Sequence, residues 1–150
     1  MIQRIQSLYF LLAAVCPALT FALPFAKAQL GGAAAWFYSC HTEGLPQDFR
    51  YVAWDTSAAA VLAVVLALWA LFSYKTRKRQ VRLAKASLAA DVLWLYCAAV
   101  HVAQYVSETK ADFLPHVGAF LPVISIVFCV LAWRAVKHDD ELVRAADRIR

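Results

Sequence analysis

Residues 56–74 read TSAAAVLAVVLALWALFSY, and residues 75–85, which follow directly, read KTRKRQVRLAK. The first segment carries no charged side chain and is about as long as the ~20 helical residues that cross ~30 Å of hydrocarbon. The second segment has six basic side chains and no acidic one. Because Lys and Arg resist translocation, this pair of segments is typical of a membrane-spanning helix followed by a cytoplasmic connection.

Three further segments, residues 8–25, 86–106 and 113–136, are uncharged or nearly so and are long enough to span a bilayer. Over the whole chain 63% of the residues are hydrophobic and 17% are charged. Soluble domains are roughly half apolar, and disordered chains are far less hydrophobic. The sequence therefore predicts a single all-α membrane domain, an up-down bundle of four transmembrane helices.

The distribution of basic residues predicts the orientation of the bundle. Twelve of the 15 Lys and Arg residues lie on the side of the 75–85 connection, which includes the N-terminus and the tail, residues 137–150. The outer side, mainly loop 26–55, has only Lys27, Arg50 and Lys110. We therefore expect both termini to lie in the cytoplasm.

The main alternative for the first span is a cleaved secretory signal. Ala26-Lys27-Ala28 resembles an A-x-A cleavage site. However, the apolar run of residues 8–25 is longer than the roughly 7–15 residues usual in such signals, which favours a retained span.

The cysteines do not suggest redox chemistry. Cys16, Cys97 and Cys129 fall within predicted spans, where a thiol behaves as a small hydrophobe, and Cys40 is alone in the outer loop. No C-x-x-C pair exists, which argues against a thiol-oxidising, quinone-reducing enzyme.

Two aromatic clusters flank the turn at residues 43–46, and they predict an interfacial aromatic belt or a hairpin.

The third span carries a polar and aromatic stripe. On a helical wheel, one face holds Ser87, Asp91, Trp94, Ala98, His101 and Tyr105. Asp91 lies about 9 Å beyond Lys85 along the helix, too deep for the interface, so the stripe should face the bundle interior. One interpretation is a proton or ion relay; the other, which we favour, is that Asp91 fixes helix packing.

Two expectations accompany that stripe. The packing interpretation gives Asp91 a partner among Tyr9, Ser73, Tyr74 and Arg134. A weaker hypothesis pairs His101 with His116 as haem ligands, or joins them with His41 and Cys40 around a metal ion.

Prolines should bend two of the other spans. Pro17 and Pro122 should kink the first and fourth spans.

The cytoplasmic tail continues the fourth span as an amphipathic helix. Leu142, Ala146 and Ile149 share one face, which must be covered by another surface. The candidates are the N-terminal residues Ile2, Ile5 and Tyr9, the membrane surface and a partner protein. The basic connection sets topology and attracts anionic headgroups. Its members are Lys75, Arg77, Lys78, Arg79, Arg82 and Lys85.

Both ends of the chain carry recognisable segments. The start is MIQRIQSLY (residues 1–9) followed by LLAA (11–14), and the end has RAVK (134–137) and DELVRAADRIR (140–150). These segments resemble an uncharacterised family of short, four-span bacterial membrane proteins, described as a domain of unknown function. The resemblance implies a four-span inner-membrane protein and brings no activity, cofactor or catalytic residue.

No phosphate-binding loop, catalytic triad, H-E-x-x-H motif or paired carboxylate is present in the sequence, so we expect neither an enzyme nor a cofactor. The expected partners are membrane lipids and either another protein or a second copy of the chain, and not nucleic acid. These features favour an accessory, scaffolding or assembly subunit of a membrane complex. The alternatives are a small transporter or proton-coupled binder that uses Asp91, His101 and Tyr105, and, more weakly, a haem or metal electron carrier.

Overall fold

The computed structural model describes residues 2–30, 33–44, 54–74 and 76–147 of the 150-residue chain. Within these ranges the chain forms four α-helices: α1 (Ile2–Leu19), α2 (Trp54–Phe72), α3 (Arg77–Thr109) and α4 (Leu121–Asp147). Helix α1 packs on α2 and α4, and α3 packs on the same two helices. The prediction of a mostly helical, four-helix chain is therefore confirmed.

A small antiparallel sheet corrects the all-α prediction. Its strands are β1 (Ala26–Leu30), β2 (Ala33–Phe37), β3 (Thr42–Glu43) and β4 (Asp112–Pro115), in the spatial order β3-β2-β1-β4. Strand β1 lies between β2 and β4, so that Lys27 is opposite both Trp36 and Leu114. The sheet thus joins the segment after α1 to the segment between α3 and α4.

One face of this sheet is buried against the helices. Ala26 and Ala28 of β1 and Ala35 and Phe37 of β2 belong to the same buried cluster as Trp94 of α3. The alternate residues Lys27 and Trp36 are only half-buried. This alternation is that of a strand with one face in the core, and it places the sheet at the end of the bundle remote from the 75–85 segment.

The sheet also changes the bounds of two predicted spans. Span 8–25 ends as a helix at Leu19, and the backbone N–H of Phe25 donates to Phe37 O at 2.8 Å. Span 113–136 begins as β4, and α4 starts only at Leu121. Pro122 therefore lies in the first helical turn, where its missing N–H costs nothing, so the predicted kink there is wrong. Pro17 lies within the last turn of α1.

Gly118 fixes the approach of the two segments. It lies in a 3-10 turn (Val117–Ala119), and its N–H donates to Pro24 O at 3.0 Å. A Cβ at this position would lie 2.6 Å from the same oxygen. Only glycine allows so close a contact without moving the backbone.

The predicted basic connection is largely helical. Helix α3 begins at Arg77, so most of segment 75–85 forms its first turns, and only residues 73–76 connect it to α2. Lys, Arg, Gln, Leu and Ala are all good helix formers, and the segment has no Gly or Pro to stop the helix. A connection this short requires α2 and α3 to run antiparallel.

Small residues line the contacts between helices. On α2 every third or fourth position is a buried alanine, including Ala59, Ala63, Ala67 and Ala70. Ala13 on α1 and Ala132 on α4 are also fully buried. Small side chains at such contacts allow helix backbones to approach closely, as is common between membrane helices.

Three helical segments are long and apolar enough to cross a membrane: Trp54–Phe72, Arg77–Thr109 and Val117–Val143. The apolar part of α1, Ile5–Leu19, is shorter. In each long segment only 33% of the apolar window is buried inside the protein. The rest includes outward-facing side chains such as Val61 and Val65, and soluble monomers rarely expose apolar patches of this extent. The pattern is typical of helices surrounded by lipid.

Candidate functional site

Asp91 lies at the centre of the bundle with no exposed surface. Its Oδ2 is 2.7 Å from the hydroxyl of Ser125 on α4, and this hydroxyl is 2.9 Å from the carbonyl oxygen of Ala13 on α1. Residue 17 is a proline, which has no N–H to donate to the carbonyl of Ala13 four residues earlier. The Ser125 hydroxyl therefore donates to the Ala13 carbonyl, which has no donor at position 17 of α1.

The hydrogen-bond geometry favours a protonated Asp91. A serine hydroxyl has a single proton to donate, while the carbonyl of Ala13 accepts only. Both short contacts of Ser125 are hydrogen bonds if Asp91 donates to Ser125 and Ser125 donates to Ala13. Among the described residues, Asp91 Oδ1 has no partner, and burying it without one costs far less for a neutral carboxyl than for a carboxylate.

Ser87 extends this cluster to α2. Its hydroxyl donates to the Ala63 carbonyl at 3.1 Å, and the Cys129 thiol of α4 lies 3.7 Å from the same hydroxyl. Together with Asp91 and Ser125, these contacts connect all four helices at one level; we call this group, Ser87, Asp91, Ser125 and Cys129, the central polar cluster. Its geometry supports the packing interpretation of Asp91.

The partner of Asp91 differs from the four that the sequence suggested. Its hydrogen-bond partner in the described part of the chain is Ser125, and Tyr9, one of the expected partners, instead stacks on Phe128. Ser125 lies within the apolar run of the fourth span, and its spacing of four residues from Cys129 is the only sequence signal that places the two side chains on one helix face.

Further along the stripe, Trp94 belongs to a second buried network. Its indole N–H donates to the Ser39 hydroxyl at 3.0 Å, and this hydroxyl lies 2.8 Å from the hydroxyl of Thr20. The Ser39 carbonyl accepts from the hydroxyls of Thr56 at 3.0 Å and Ser57 at 2.6 Å. Ser39 thus ties the segment after β2 to the end of α1, the start of α2 and the middle of α3. Ser39 was not predicted from the sequence, because no sequence pattern distinguishes an isolated loop serine.

The outer part of the stripe has separate partners. His101 Nε2 lies 2.6 Å from Asp55 Oδ2 at the start of α2, and Tyr105 packs edge-on against Phe37 of β2. Trp94, which is almost fully buried, stands on the same face between Asp91 and His101. Asp91, Trp94 and His101 therefore have different hydrogen-bond partners, whereas Tyr105 packs on the buried cluster that contains Trp94.

The histidines proposed as haem or metal ligands also have different neighbours. His116 packs edge-on against Trp36 at 5.3 Å between ring centroids, and His41 stacks on Tyr38 near Cys40. Partial burial, with a contribution from Glu43, raises the pKa of Tyr38. Within the described ranges, no group of three or more His, Cys, Asp or Glu residues is placed to hold a metal ion.

All four cysteines are free thiols. Cys16 and Cys129 are buried, as predicted, while Cys97 is half-buried and Cys40 is exposed.

The sequence match covers nearly the whole of this architecture. The family described as Domain of unknown function (DUF4293) matches residues 2–149. The chain belongs to the DUF4293 family. The resemblance to an uncharacterised family, a domain of unknown function, is thereby confirmed, and the match includes every helix and strand of the structure. A comparison with curated proteins finds no match.

At the end of the bundle opposite the sheet, cationic side chains contact aromatic rings and acids. Arg79 lies over the Trp69 ring at 4.8 Å, and Lys85 lies over the Trp133 ring at 4.7 Å. Arg77 pairs with Asp139 at 3.2 Å. This ion pair attaches the start of α3 to the last turns of α4. Lys75 lies outside the described residues.

The predicted docking residues lie at the same end. Ile5 on α1 is 51% exposed and Leu142 on α4 is 47% exposed, so in the described part of the chain neither side chain is covered. Ile2 and Ala146 lie in the end turns of α1 and α4. Ile149 lies outside the described residues.

Proposed function

We propose that the protein is a non-enzymatic accessory, scaffolding or assembly subunit of a larger complex in the bacterial inner membrane. Both termini and the basic start of α3 would lie in the cytoplasm, and the sheet would lie on the outer side. The excess of Lys and Arg at one end of the bundle supports this orientation.

The observation that carries the proposal is the exposed apolar surface at the end of α4. This helix has 27 residues and is about 40 Å long, whereas the hydrocarbon core is about 30 Å thick. Leu142 and Val143 follow the charged positions Lys137, Asp139 and Asp140, so they would lie beyond the hydrocarbon. Both side chains are exposed, and apolar groups in that position are stabilised by contact with another protein.

The interior polar groups support a structural role as well. Asp91, Ser125, Ser39 and Trp94 use their hydrogen bonds to connect helices and the loop after β2. The alternative of a transporter or proton-coupled binder has less support, because Trp94 separates Asp91 from His101. The haem or metal carrier has the least, since His101 and His116 have different neighbours.

The test is a comparison of co-purifying proteins. The chain is purified from the native membrane in a mild detergent at its natural expression level, as the wild type and as the variant Leu142→Asp. The control is Ser107→Asp, which adds the same charge at an exposed site near the other end of the bundle. The proposal predicts a defined partner with the wild type and the control, and its loss with Leu142→Asp.

Three results would contradict the proposal. One is that no protein accompanies the wild type even after cross-linking in the membrane. Another is that the partner remains bound to Leu142→Asp while the variant stays inserted. A partner that is a second copy of the chain would identify a homo-oligomer and reject the accessory role.

A further inference from the structure

A groove of about 680 Å³ lies between the first turns of α3 and the last half of α4. Five cationic side chains and a single carboxylate, that of Asp140, line it. The cations are Arg77, Lys78, Arg82, Lys85 and Lys137. The groove therefore carries a strong positive charge contributed by two different helices. Basic residues that only set membrane orientation could all lie in one connection.

Much of this charge is not neutralised by the protein. Arg77 pairs with Asp139, and Lys137 lies 3.8 Å from the exposed carboxylate of Glu141. Lys78 and Arg82 form no ion pair within the described ranges. An anion in the groove would find two uncompensated cations four residues apart, on one face of α3.

The groove also has an apolar wall at the level of the membrane interface. Val81, Trp133 and Val136 line it together with the cations. Trp133 and Trp69 lie on different helices, each with a cation of α3 over its ring, and tryptophans are enriched at headgroup level in membrane proteins. An occupant therefore needs an anionic group next to an apolar body.

We infer that this groove binds the anionic headgroup of a phospholipid from the cytoplasmic leaflet. The phosphate would lie between Lys78, Arg82 and Lys85, and the glycerol and upper acyl chains would contact Trp133. Basic pockets between membrane helices on the cytoplasmic side are suited to such lipids. The inference rests on the proposed membrane orientation and is independent of any protein partner.

The test measures lipid binding to the purified chain by native mass spectrometry. The protein in detergent is titrated with phosphatidylglycerol and, separately, with zwitterionic phosphatidylcholine. The groove variant is Arg82→Gln with Lys85→Gln. The control is Lys27→Gln with Lys110→Gln, which removes the same charge from the sheet end of the bundle, outside the groove.

The expected loss is about fivefold for each groove cation removed, so about 25-fold for the double variant. The control should lose less than about threefold, and phosphatidylcholine should bind weakly to every form. Lys85→Arg alone should retain binding, because it keeps the charge.

Three outcomes would overturn the inference: equal losses in the groove variant and the control, equal affinity for the two lipids, or displacement of the lipid by millimolar inorganic phosphate. The last would identify a soluble anion as the occupant. Size-exclusion profiles of both variants must match that of the wild type, and Lys85→Arg, which keeps the charge, provides a second measurement if the double variant aggregates.

Discussion

The substitution Asp91→Asn replaces a buried carboxyl group by an amide of nearly the same shape. If Asp91 is protonated, its Oδ2 donates to Ser125, and the amide Nδ2 of asparagine supplies the same donor. Ser125 then still donates to Ala13 O. We expect the free energy of unfolding to change by less than about 1 kcal/mol, the net value of one ordinary hydrogen bond.

Asp91→Ala removes that donor and leaves a cavity at a position with no exposed surface. Hydrogen bonds between membrane helices contribute about 0.6 kcal/mol on average and up to about 1.7 kcal/mol. The cavity adds to this loss, so we expect a decrease of about 2–3 kcal/mol in the free energy of unfolding. Both variants remove the ionisable group, but only Asp91→Ala also removes the hydrogen bond and the side-chain volume.

The assay is reversible unfolding in mixed micelles with increasing denaturing detergent. Ser125→Ala and the double variant with Asp91→Ala complete a double-mutant cycle, and we expect a coupling of about 1 kcal/mol between the two side chains. Infrared spectroscopy provides a direct check, because a protonated carboxyl has a carbonyl band that a carboxylate lacks. This band should be present in the wild type and absent in Asp91→Asn.

If Asp91→Asn destabilises the protein as much as Asp91→Ala does, the site holds a charged carboxylate and the hydrogen-bond argument is wrong. If Asp91→Asn keeps its stability but abolishes a biological function of the protein, Asp91 acts as a relay. That result would favour the transporter over the accessory subunit.

Two other substitutions test the outer end of the fold. Gly118→Ala should lower the free energy of unfolding by about 1–3 kcal/mol in the same assay, since the new Cβ would lie 2.6 Å from Pro24 O; an unchanged value would contradict the close contact. Ser39→Ala should cost about 1–3 kcal/mol because it leaves the buried indole N–H of Trp94 without an acceptor. Ser57→Ala is the matched control, since the carbonyl that Ser57 contacts has a second donor, and equal losses in both variants would refute the role of the Ser39 hydroxyl.

Hydropathy predicted the four helices but not the sheet, for a physical reason. A hydropathy window sums side-chain transfer and ignores where the backbone hydrogen bonds go. Residues 113–116 are apolar enough to extend the fourth span, yet β4 pairs its backbone with β1. The strands were also hard to recognise because β1 and β2 are rich in alanine, which is depleted in strands.

The candidate site was likewise predictable only in part. Helical periodicity alone placed Ser87, Asp91 and Trp94 on one face, and all three are buried. Their partners depend on the rotation of α4 and on the path of the segment after β2, which no single-helix pattern contains. The roles of Ser125 and Ser39 as hydrogen-bond partners can therefore be recognised only in the folded chain.

The topology of the chain is tested most directly by labelling with a membrane-impermeant maleimide in cells whose outer membrane has been permeabilised. Cys40 is an exposed native thiol at the sheet end of the bundle. We expect that it reacts from outside, whereas Glu141→Cys in a Cys40→Ala background reacts only after the inner membrane is opened. Labelling of Glu141→Cys in cells with an intact inner membrane, or protection of Cys40 until lysis, would contradict the proposed topology.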